Sequence, residues 1–183
     1  MRLEQSELSH GVLALGTLEA TESSLTDMRL QVDDALLAAT GIFGGASELG
    51  SAVLVDAQLF GTRVDRCGSL RFNGSSVQQT FLASCDRTTA FEGGSIAGSR
   101  VLGALALAGT HVSGTRLVPG PGAALTFIDA LVQASVFCGA EELIADGGGF
   151  RCDACAPEIA SIMLGDVYVD SPECASLQAA APE

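Results

Sequence analysis

Six cysteines are the residues of this chain whose type and spacing speak most directly of chemistry: Cys67, Cys85, Cys138, Cys152, Cys155 and Cys174. An even number of thiols suits a disulfide framework in an oxidising compartment, although it leaves the connectivity open. Cys152 and Cys155, two residues apart, also make half of a zinc ribbon. The other half of such a site is a second close pair, and Cys138 and Cys174 stand alone. The expectation is structural disulfides with no bound metal or cofactor; free core thiols and a metal site are the alternatives. Thiol titration and metal analysis separate the three.

Other groups offer less. Asp33-Asp34 is the one adjacent Asp pair, and only Asp56 is a candidate to join it from a neighbouring repeat. Asp129 and Asp146 stand at equivalent repeat positions, which would bring two carboxylates together and makes them the candidate acids. His10 and His111 have no partner at a spacing that suggests a Ser-His-Asp or Cys-His arrangement. Arg29, Arg63, Arg100 and Arg116 share one repeat position between inward-facing neighbours. They form a candidate outward stripe for an anion or acidic glycan, or simply a charged face that discourages edge association.

These side chains must be positioned by a recurring phrase of fifteen residues. It reads GTLEATESSLTDMRL at 16–30, GSAVLVDAQLFGTRV at 50–64, GSLRFNGSSVQQTFL at 68–82, RTTAFEGGSIAGSRV at 87–101, GALALAGTHVSGTRL at 103–117 and GAALTFIDALVQASV at 122–136. The fifth position is Ala20, Leu54, Phe72, Phe91, Leu107 and, one place late, Phe127. The tenth is Leu25, Leu59, Val77, Ile96, Val112 and Leu131. The thirteenth is mostly small, from Met28 and Thr62 to Thr115 and Ala134. The fifteenth is Leu30, Val64, Leu82, Val101, Leu117 and Val136.

Short alternations such as Leu70-Arg71-Phe72 have the period of a half-buried strand, and glycines and serines supply turns. The double-length first step predicts a degenerate copy within 31–49. That stretch also aligns at a shift of 24, with Leu13, Leu18, Leu25 and Leu30 on Leu37, Ile42, Leu49 and Leu54. A weaker copy follows at 160–174. Units of this kind bury their apolar faces only by stacking. The fold class expected is all-β, a single-stranded parallel β-helix with rungs of about 16–24 residues. Residues 1–137 form rungs; 138–183 form the last rungs and a cysteine-rich closure of the same domain. Cys67 directly precedes its copy and Cys85 lies two residues before its own, so they fall on adjacent rungs within bridging range.

The phrases GAALTFIDALVQASV and GALALAGTHVSGTRL resemble the rungs of right-handed parallel β-helix repeat proteins, the pectate-lyase-like superfamily, above all its large bacterial secreted and surface members. The resemblance covers nearly the whole chain and rests on pattern. It implies a secreted or surface location. It also implies possible polysaccharide chemistry, by Asp clusters in hydrolases or by a basic residue with calcium in lyases. This chain has no lysine and no His beside its acids, so no such set assembles. Pentapeptide-repeat proteins are the rival resemblance, carried by Leu49, Leu54, Leu59 and Val64 with Ser47, Ala52, Ala57 and Thr62 two residues earlier.

A net charge of −13 excludes general nucleic-acid binding, which needs a basic footprint. No apolar run is long enough to span a membrane. Residues 1–20 lack the features of a signal peptide, and the pattern begins almost at Met1, so the chain is expected to be part of a longer protein. The absence of Trp and an aromatic content of 5% weigh against an aromatic sugar platform. The expected function is a non-catalytic structural or binding segment of a secreted or cell-surface bacterial β-helix protein, with a glycan or protein surface as partner. A polysaccharide-active β-helix enzyme is one alternative; an acidic pentapeptide-type mimic is the other.

Overall fold

The short alternating segments, each with two outward side chains around one inward, build strands too small to be stable alone. In the structure, a computed structural model, they coil into a parallel β-solenoid of about seven turns, with no helix among the described residues. It describes residues 1–118, 124–128, 130–133, 135–137, 142–146, 149–150 and 167–169.

A mature turn has three short strands, as in Thr89–Glu92, Ser95–Ala97 and Arg100–Leu102. The next turn repeats them as Leu105–Ala108, His111–Ser113 and Arg116–Val118. Each strand is hydrogen-bonded in parallel to the equivalent strand one turn away. In earlier turns the third strand runs on into the first of the next turn, as in Ser24–Ala38 and Arg63–Asn73.

Three apolar ladders fill the interior. The first runs Leu3, Ala20, Leu37, Leu54, Phe72, Phe91, Leu107, Phe127. The second runs Leu8, Leu25, Ile42, Leu59, Val77, Ile96, Val112, Val132. The third runs Leu13, Leu30, Ser47, Val64, Leu82, Val101, Leu117, and the backbone of Phe137 is next in register. Rungs follow at intervals of 16 to 20 residues. Burying one such Leu, Val or Phe contributes about 1.5–3 kcal/mol. Phe72 and Phe91 stack face to face with ring centroids 4.2 Å apart.

The degenerate copy is real: Leu37, Ile42 and Ser47 form its rung. Its third ladder position is a serine, buried between Leu30 and Val64. The alignment at a shift of 24 is wrong. Leu13 pairs with Leu30 and Leu25 with Ile42, because in-register stacking of whole turns outweighs a local match of leucines. In the last phrase the one-place offset at Phe127 carries onward. Val132, not Leu131, continues the second ladder; Phe137, not Val136, is in register with Leu117; and Ser135 takes the small position that the phrase gives to Ala134. Leu131 instead pairs with outward His111, since a single inserted residue flips every following side chain.

Two corners of each turn open with a left-handed residue. One corner uses Gln5, Glu22, Ala39, Asp56, Gly74, Gly93 and Gly109; the other uses His10, Asp27, Gly44, Gly61, Gln79, Gly98 and Gly114. One residue further, small hydroxyl side chains point inward and bond to corner carbonyls. Thr115 Oγ1 donates to Ser113 O at 3.0 Å, and Thr40 Oγ1 donates to Ala38 O at 2.9 Å. The same carbonyls also accept a backbone N–H from the preceding turn, Glu22 N to Ala38 O and Gly98 N to Ser113 O, so what the bonds satisfy is the inward hydroxyl. They also account for the small residue two places before a ladder position. The five-residue spacing at Leu49, Leu54, Leu59 and Val64 is therefore a local property of this coil, and all four are buried.

Candidate functional site

All buried polar side chains among the described residues are serines and threonines. Every described charged group therefore lies on the outside, and the candidate sites are outward columns.

The most distinctive surface lies at the third corner. There Val32, Leu49, Cys67 and Cys85 stack on successive turns, and Cys67 and Cys85 form a disulfide with a Cα separation of 4.6 Å. The adjacent-rung placement inferred from the phrase is borne out. The bridge closes a separation of 18 residues, worth about 3 kcal/mol by the loop-closure argument. Beside it, Gly50 and Gly68 bring the turns so close that a Cβ on Gly68 would sit 2.3 Å from Gly50 O. Cys138, Cys152, Cys155 and Cys174 lie outside the described residues.

A groove of about 440 Å³ borders the bridge, with Asp33, Glu48, Asp65, Asp86 and Arg66 on its rim. These acids fall between the copies of the phrase, so no phrase position gathers them and they meet only through the register. Asp56 does not join Asp33 and Asp34: it occupies a left-handed corner on the far side of the first strand, and Asp34 faces Ser51. Among the described residues no three His, Cys, Asp or Glu side chains are close enough together to hold a metal ion.

The arginine column is real but interrupted. Its register reads Val12, Arg29, Ala46, Arg63, Phe81, Arg100, Arg116. Only Arg100 and Arg116 are direct neighbours. Phe81 lies between two guanidinium groups, with the Arg63 carbon 4.6 Å and the Arg100 carbon 5.8 Å from the ring centroid. Cation–π contact holds both side chains against the sheet. Arg29 pairs with Glu48 at 3.6 Å, and Arg63 pairs with Asp65. This stripe is thus partly neutralised by the acids of the neighbouring groove.

Asp146 is in register with Ile128, one residue short of Asp129, which lies outside the described residues. His111 is exposed next to buried Val112, and His10 lies 3.6 Å from Asp27 across one corner. On the second strand's outer face, Phe43 and Phe60 stand in register on adjacent turns, and Phe60 is 44% exposed. Their outward position was not legible, because the phrase marks inward residues and both fall between them.

Comparison with family models, curated proteins and solved structures finds no match. The part of the β-helix resemblance that stands is the architecture, a parallel β-solenoid. No helix among the described residues is long and apolar enough to cross a membrane.

Proposed function

We propose that this chain is a non-catalytic structural or binding segment of a secreted or cell-surface bacterial β-helix protein. The observation that supports it is the division of labour across each rung. Inward positions repeat one stacking chemistry of apolar ladders and backbone-bonded hydroxyls. Outward positions vary freely and present a stiff, mostly acidic surface. A disulfide between turns suits an oxidising compartment, where such bridges persist. It also counts against the acidic pentapeptide-type mimic, which would work in a reducing cytoplasm.

The glycan-cleaving alternative would need Asp146 to work with a second acid. Retaining and inverting glycosidases hold their two carboxyl groups roughly 5–9.5 Å apart across the scissile bond. The test is product formation from acidic and neutral polysaccharides by the full chain. No reducing ends and no unsaturated product above a boiled control are expected. Turnover that Asp146→Asn abolishes would overturn the non-catalytic reading.

A further inference from the structure

The second strand's outer face carries a patch unlike the rest of the surface. Its two outward columns read Ser24, Gly41, Gln58, Ser76, Ser95 and Thr26, Phe43, Phe60, Gln78, Ala97. The edge of the Phe43 ring fills the space beside Gly41: a Cβ there would meet Phe43 Cε2 at 2.3 Å and Cζ at 2.7 Å. Gly41 thus leaves room for the partly exposed Phe43 ring beside it on the outer face of the sheet. Phe60 follows one turn later, roughly 4.8 Å along the coil. Between and beside the rings is a depression of about 180 Å³, lined by Phe43, Gln58, Leu59, Phe60, Ser76 and Gln78. Gln78 Nε2 donates to Ser76 Oγ at 3.1 Å, and Ser76 and Ser95 share a hydroxyl contact of 3.2 Å.

We propose that this patch binds a pyranose ring of a neutral glycan. The negative face of an aromatic ring attracts the polarised C–H groups on one face of a sugar. Amides and hydroxyls, each able to donate and accept, match the sugar's hydroxyl groups at its edge. None of the six lining residues is charged, in a chain of net charge −13. A uronic or sulfated sugar would find no counter-charge here and a repulsive field around it. The depression is smaller than the roughly 300–1,000 Å³ of a typical small-molecule pocket, so it suits one ring of a chain. A protein partner fits less well. Two rings of about 150–250 Å² each supply well under the usual interface of about 800 Å² per side. The aromatic column also ends at Gln78.

This site rests on the binding role proposed above and names its ligand. The full chain is titrated with cello-, malto-, manno- and xylo-oligosaccharides and with oligogalacturonate, by saturation-transfer NMR and calorimetry. At least one neutral series is expected to bind, with an affinity unchanged when salt is raised to about 0.5 M. Phe60→Ala should weaken that binding at least tenfold, Phe60→Trp should preserve or tighten it, and Gln78→Ala should weaken it. Phe60 is outside the core, so the variants keep the fold, as circular dichroism checks. Absence of binding to every neutral oligosaccharide would overturn the site. So would binding indifferent to Phe60→Ala, or binding of oligogalacturonate alone that salt removes. Those results leave the non-catalytic reading standing, because that is judged by product formation.

Discussion

Replacing Phe91 with Ala is expected to cost about 3–5 kcal/mol, the range for removing a fully buried aromatic side chain. Phe91 is 1% exposed, stacked on Phe72 at 4.2 Å from one side and in register with Leu107 on the other. No neighbouring rung can slide in to fill the space, because each is fixed by its own ladder of hydrogen bonds. A whole domain is stable by only about 5–15 kcal/mol, so the loss is a large fraction of the total. In a solenoid each turn is coupled chiefly to its neighbours. A defect in a middle turn should therefore broaden or split the urea transition as well as lower its midpoint. Urea unfolding followed by circular dichroism reads both, and a change below about 0.5 kcal/mol, typical of a surface site, would contradict the assigned ladder.

The second large effect is expected at Gly94→Ala, about 2–5 kcal/mol. Gly94 has a φ of +75°, and an added Cβ would sit 2.0 Å from Ser75 O and 2.8 Å from Ser75 N. The left-handed backbone costs a Cβ-bearing residue about 1–2 kcal/mol. Overpacking against the turn below adds about 1–3 kcal/mol. The displaced carbonyl is also the acceptor for Ser95 N at 3.0 Å, so the ladder itself is strained. Gly109→Ala is the matched control. Its φ is +58° with nothing within 4 Å of the new Cβ, so only the backbone cost of about 1–2 kcal/mol remains. Ala39 already holds a left-handed φ of 46° at an equivalent corner. Thermal unfolding of the two variants side by side checks the ordering; equal losses would mean that the turns do not approach as described.

Much of the fold could be read from the phrase because stacking repeats one inward chemistry. Leu25, Leu59 and Val77 fall on one ladder without knowledge of any contact. Cys67 and Cys85 pair because the same register brings them together. Legibility fails where the repeat loses its signature. Ser47 hides a rung by putting a hydroxyl where Leu30 and Val64 put hydrocarbon. The extra residue before Phe127 shifts the register by one, so that Val132 and Phe137 stand where the phrase points to Leu131 and Val136. The outer surface is harder still. Outward residues are free of the stacking constraint, so nothing in the pattern links Phe43 with Phe60, or Asp33 with Glu48, Asp65 and Asp86. Their proximity exists only once turn lengths are known, and a one-residue error in turn length moves a side chain to another column.

Non-reducing peptide mapping of the protein isolated from its native source is the most direct measurement of the central claim, an oxidised rod of stacked turns that works through its outer faces. It should yield Cys67 and Cys85 in one linked peptide pair, because the register places them on adjacent turns with Cα atoms 4.6 Å apart. Free thiols at both positions, or a link from Cys67 to any other cysteine, would contradict the account.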